Sequence, residues 1–160
     1  MKISNQFLVE FTGCTNSSAK DDKDCVKAID GNVGPYGWQA RVPAWAIFEL
    51  TEERSMNSLV LISGTGSPKS FKVTLKVDGQ WINLSALQIK EDPTAQIEND
   101  GTVTLNSGID ELTLEFTTVT NVQSIRLNVT KSNLLVATPS TNPTPYLYLR
   151  EIIPEFFGKF

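Results

Sequence analysis

Histidine is absent from the 160-residue sequence. Its absence excludes a Ser-His-Asp triad, a His-activated cysteine and any zinc site built on imidazole. Cysteine is scarce, and a single pair, Cys14 and Cys25, cannot supply a four-thiolate centre. Basic residues are few and scattered: 14 Lys and Arg stand against 18 Asp and Glu, for a net charge of −4. No basic stripe exists for a nucleic-acid backbone to follow. No run of about 18 apolar residues occurs, so no segment reads as a membrane-spanning helix. The opening segment MKISNQFLVEF carries one Lys and no long apolar region, and does not read as a signal peptide. The expectation is either a chain retained in the cell that makes it, or a mature or trimmed chain working outside. Convincing amphipathic helical periodicity is missing as well.

What remains is β-type sequence. Hydrophobic residues make up 40% of the chain, enough for a core, and nothing marks a linker or an internal repeat, so residues 1–160 read as one domain. WAIFEL, SLVLIS, SFKVTLKV, QWINLSAL, TVTLN, LTLEFTTV, SIRLNVT and YLYLREII are short runs rich in β-branched and aromatic residues. Phe71, Val73, Leu75 and Val77 alternate with period two. SGTGSP, VDGQ, EDPT, ENDG and NSGID separate the runs as turns. Asp78-Gly79 in VDGQW predicts a tight hairpin. The prolines of ATPSTNPTPY predict an extended surface loop rather than regular pairing. Eight or more short strands without helices imply a sandwich or jelly roll. Cys14 and Cys25 flank one loop-like segment. In an oxidising compartment they pair and staple it; in a reducing one they stay free thiols.

KAIDGN, GW, PAWAIFEL, SFKVTLKVDGQW, VQSIRLNVT and YLREI, in that order, resemble the discoidin family, also called the coagulation-factor type C or galactose-binding-like domain. The family includes carbohydrate-binding modules of secreted glycosidases, and the resemblance runs from about Phe11 to Pro154. It implies an all-β fold, an eight-stranded antiparallel jelly-roll sandwich of galactose-binding-domain-like type. It also implies a structural Ca²⁺ between the first loop and the last strand. Asp30 and Glu151 are then side-chain ligands, Asn32 a third, and backbone carbonyls near Ala28 and from Val33 to Tyr36 complete the shell. Six to eight hard oxygens suit this ion, and a glycine turn aims several carbonyls at one point. The sequence departs from the family twice. Tyr36 stands where members often carry a Thr ligand, and GTGSPKS lacks the Arg and Asn of the common galactose site.

Family members bind ligands through loops at one end of the jelly roll. Transferred here, that points to Tyr36, Arg41 and Tyr146, joined by Lys131 and Asn133, as a small saccharide site of polar groups around an aromatic platform. Trp38, Trp45 and Trp81 read as packing residues, LLVATP as a buried strand, and the carboxylates of KDDKD as a solvated charge run. Phe156, Phe157 and Phe160 either pack on the sandwich or dock a partner. The implied function is a non-catalytic carbohydrate-binding or cell-surface adhesion module whose partner is a glycan or glycoprotein. Other domains of a parent protein are further candidate partners. The implied place is extracellular or at the cell surface. The alternative is a structural or protein-interaction module of a larger assembly, including a viral or phage tail component, located inside the cell or in a virion. With neither histidine nor a placed nucleophile, no catalytic residue is assigned. Net acidity disfavours insertion into acidic membranes, and nucleic acid is not an expected partner.

Overall fold

The computed structural model describes residues 3–4, 11–19, 23–31, 37–64, 66–138 and 141–158. Alternation decides the architecture. Phe71, Val73 and Leu75 are buried while Lys72, Thr74 and Lys76 are half-buried, the signature of strands with one wet face. The strands are β1 (Ile3–Ser4), β2 (Phe11–Asn16), β3 (Trp38–Arg41), β4 (Ala44–Ser63), β5 (Pro68–Val77) and β6 (Gln80–Asn83). They continue as β7 (Gln88–Ile89), β8 (Gln96–Ile97), β9 (Val103–Thr104), β10 (Glu111–Ser132), β11 (Leu134–Thr138), β12 (Thr141–Glu155) and β13 (Phe157–Gly158). One short 3₁₀ turn, Cys25–Ala28, interrupts them, and the described residues contain no α-helix.

Two strands serve both layers of the sandwich. Residues 44–49 of β4 pair with 124–129 of β10, whereas residues 58–62 of β4 pair with 111–115 of β10. Register shifts between Glu115 and Val119, Val119 and Val122, and Val122 and Ser124 bend β10 between these stretches. Asn121 sits there at φ 57, a left-handed conformation that asparagine tolerates. One layer carries β2, β4, β10, β5, β6, β9 and β8; the other carries β3, β12, β4, β10, β7 and β11. Every pairing is antiparallel. The core lies between the layers. Trp38 from one meets Phe48 from the other edge-to-face, with ring centroids 6.5 Å apart, surrounded by Leu59, Leu61, Phe71, Ile125 and Leu127.

The expected hairpin is present: Asp78 at φ 50 and Gly79 at φ 77 join β5 to β6. Leu134–Thr138 of LLVATP form β11, so the expected strand is present, while Pro139 and the burial of these side chains lie outside the described residues. The proline-rich stretch is a correction. It is mostly strand, with Leu135 opposite Pro145 and Thr138 opposite Thr141. Pro143 and Pro145 are two residues apart, so their missing N–H groups fall on one edge of β12, and β3 reaches only Tyr146–Leu149 on that strand.

Candidate functional site

At one end of the second layer the antiparallel register sets Arg41 of β3 opposite Tyr146 of β12, and Tyr146 opposite Leu134 of β11. Asn133 immediately precedes Leu134. Its side-chain amide donates to Ser67 O at 3.2 Å and to Ser67 Oγ at 3.0 Å, which fixes the turn between β10 and β11. Of the five expected ligand-binding residues, Arg41, Tyr146 and Asn133 thus gather at one end. Lys131 is exposed near the end of β10, two residues before Asn133, and lies opposite Ser70 of β5. Tyr36 lies outside the described residues.

The structure extends this end with residues that loop-based reasoning missed. Tyr146, Tyr148 and Arg150 alternate with the buried Leu147 and Leu149, and so share the outer face of β12. Gln39 lies opposite Tyr148. The Arg150 guanidinium sits over the Tyr148 ring, Cζ 5.9 Å from its centroid. Gly66 accepts the Tyr148 N–H at 2.8 Å and lies so close that a Cβ there would meet Tyr146 O and Tyr148 N at 2.8 Å. The result is a face of two tyrosines and two arginines. YLYLR carries the signal, since its alternation puts both tyrosines and the arginine on one side.

The second candidate centre joins the first loop to the last strand. A disulfide links Cys14 of β2 to Cys25, with Cα atoms 6.2 Å apart, and Cys25 opens the 3₁₀ turn. The Asp24 carboxylate caps that turn by accepting from Val26 N at 3.1 Å, so it is not merely part of a solvated charge run. The turn delivers Asp30 and Gly31, the latter at φ +75, to β12. There Glu151 is 6% exposed, and its Oε2 has no hydrogen-bond partner. Burial, and then the nearby charge of Asp30, push the Glu151 carboxyl up to about 7, while a hydrogen bond from the Gly31 N–H works the other way. A buried carboxylate oxygen with no donor, beside a second carboxylate, is the chemistry of a hard-cation ligand pair. Asn32 lies outside the described residues. Among the described residues no group of three or more His, Cys, Asp or Glu gathers.

Trp38 packs as expected, fully buried, its indole N–H donating to Ser18 O at 2.9 Å. The packing expectation fails for the other two. Trp45 is half-buried on the outer face of β4, and Trp81 is 38% exposed on the edge strand β6. Both occupy the wet phase of their strand's alternation, and the buried phase around Trp45 is held by Ala44 and Ala46. Phe157 is half-buried on β13, its N–H donating to Asn57 Oδ1 at 3.0 Å; Phe160 lies outside the described residues.

Neither protein-family models nor curated proteins match the chain. Solved structures do. A pectin-binding carbohydrate-binding module aligns at a TM-score of 0.61 and 21% identity, over 91% of each chain. The fold is galactose-binding-like. The CBM32 of AlyQ, solved in complex with 4,5-unsaturated mannuronic acid, aligns over 98% of each chain with a TM-score of 0.60 and 18% identity. CpGH89CBM32-5 from Clostridium perfringens, in complex with GalNAc-β-1,3-galactose, aligns over 90% of this chain and 94% of its own, with a TM-score of 0.60 and 14% identity. These three neighbours of the galactose-binding-like sandwich are binding modules, and they differ in the saccharide named with each.

Proposed function

We propose that this protein is a non-catalytic carbohydrate-binding module that recognises a glycan at the Arg41–Tyr146 end of β3 and β12, with Asn133 beside it. The observation that carries the reading is the register: Arg41 and Tyr146 are direct cross-strand neighbours on a face continued by Tyr148 and Arg150. A tyrosine ring offers a flat apolar surface to the C–H face of a pyranose. Guanidinium and amide donors placed around it fix the orientation of hydroxyls. The saccharides named with the structural neighbours support the same class of ligand. A cell-surface adhesion role, through a glycan of a glycoprotein, belongs to this reading.

Asp30 and Glu151 hold a structural Ca²⁺ in the same proposal, with Asn32 and loop carbonyls as further ligands. The ion would neutralise two facing carboxylates and tie the first loop to β12. The donor set supports it: hard oxygens only, one of them buried and without a donor. The Cys14–Cys25 disulfide favours an extracellular or cell-surface location.

The test is glycan-array screening followed by calorimetric titration of any hit against Tyr146→Ala and Arg41→Ala. The expected result is saturable binding of one glycan class, weakened at least about tenfold in Tyr146→Ala, the equivalent of about 1.4 kcal/mol. Binding that ignores both substitutions would place the ligand elsewhere, and an array without hits would overturn the Arg41–Tyr146 site.

A further inference from the structure

A groove of about 450 Å³ is lined by residues of the first layer's β4, β10 and β5, none of them shared with the Arg41–Tyr146 pair. Pro43 and Trp45 give it apolar surface, Ser17, Asn128 and Thr130 contribute hydroxyl and amide groups, and Ala44, Phe71 and Val129, which also line it, are buried members of the core. Trp45, Asn128 and Lys72 form one row across β4, β10 and β5. Arg126 lies one step along the same face, opposite Ile47 and Thr74. Its Cζ stands 5.3 Å from the Trp45 ring centroid, so the guanidinium braces the indole as a wall of the groove. Ser17 holds the Trp45 backbone: Ser17 Oγ accepts the main-chain N–H of Trp45 at 2.9 Å, and Ser17 N donates to Trp45 O at 2.9 Å.

The charges around this groove are reversed relative to the acidic chain. Arg126 has no carboxylate partner among the described residues, and its buried Nε has no hydrogen-bond partner. Lys72 meets Asp100 at 3.7 Å, but Asp100 is 55% exposed and the contact is long, so another carboxylate can take its place. Glu49, opposite Ser124, is offset by Lys76 on the far side of the same row. We propose that this groove is a second binding site, for a linear saccharide carrying carboxylates: Trp45 is the stacking platform, Asn128 and Thr130 bind ring hydroxyls, and Lys72 and Arg126 receive uronate carboxylates. A pyranose has one apolar face and an equatorial belt of hydroxyls, which matches an indole wall with hydroxyl and amide groups beside it. The two cations supply the charge complementarity that selects a uronate over its neutral counterpart. The site does not depend on the Arg41–Tyr146 reading, since it shares no residue with it.

The test is an amide and indole NMR titration of the whole chain with oligogalacturonate, with the fully methyl-esterified oligomer as the neutral control. Saturable shifts at the Trp45 indole N–H and at the Asn128 and Lys72 amides are expected, persisting in Tyr146→Ala. Trp45→Ala and Arg126→Gln are each expected to weaken binding about tenfold or more, and added salt to weaken it further. Trp45→Phe keeps an aromatic wall and is expected to retain part of the affinity, which separates loss of the platform from loss of fold. Shifts confined to Tyr146 and its neighbours, equal binding of the esterified oligomer, or no saturable shift would each overturn the proposal. If those three results are absent and the array experiment fails, only the Arg41–Tyr146 reading falls.

Discussion

Glu151 shows how much a single carboxyl can report. Its folded-state value of about 7 lies above the roughly 4.3 of an unfolded glutamate. The metal-free folded state therefore holds a proton that the unfolded chain releases. That stabilisation is complete below about pH 4.3 and is lost as pH rises through about 7. In chelator, the thermal midpoint is expected to fall between about pH 4 and about pH 7, and Glu151→Gln to flatten the fall. A slope that survives the substitution would assign it to another group. Added Ca²⁺ is expected to raise the midpoint most above about pH 7, where both carboxylates are ionised, and to do nothing in Asp30→Ala. The Asp-Gly step was legible as a turn from the sequence. Burial of Glu151 was not, because it depends on β12 reaching the core with a register shift between Leu149 and Glu151.

At the scale of elements, the 3₁₀ turn and β12 carry the two candidate centres. Replacing Cys14 and Cys25 by serine releases the turn from β2, and the chain-entropy model puts the cost at about 3 kcal/mol, measurable by urea unfolding. Gly66 is the matching point at the other end. An alanine there would press its Cβ against the backbone of Tyr146 and Tyr148, so Gly66→Ala is expected to cost about 1–3 kcal/mol and to weaken glycan binding with it. If affinity stays unchanged in Gly66→Ala, the position of β12 does not govern the site. Period-two alternation made the strands readable, including the wet face of β5. It failed at ATPSTNPTPY, where proline suggested a loop, because two prolines spaced by two leave one edge of a strand intact. It also misassigned Trp45: tryptophan is a core residue by size, but here small alanines hold the buried phase and leave the indole on the groove.

For the whole molecule, the sandwich class and antiparallel pairing followed from many short β runs without helical periodicity. The sharing of β4 and β10 between layers did not, because WAIFEL and SLVLIS read as two strands while the chain between them stays paired through a bend. That continuity ties the two layers into one mechanical and cooperative unit. Opening of either layer pulls on the other, since the same two strands run through both. Deuterium uptake at Phe48 in one layer and Leu61 in the other should therefore report the same opening free energy, equal to that of global unfolding. Pulled from its ends, the domain should part in one rupture rather than sheet by sheet.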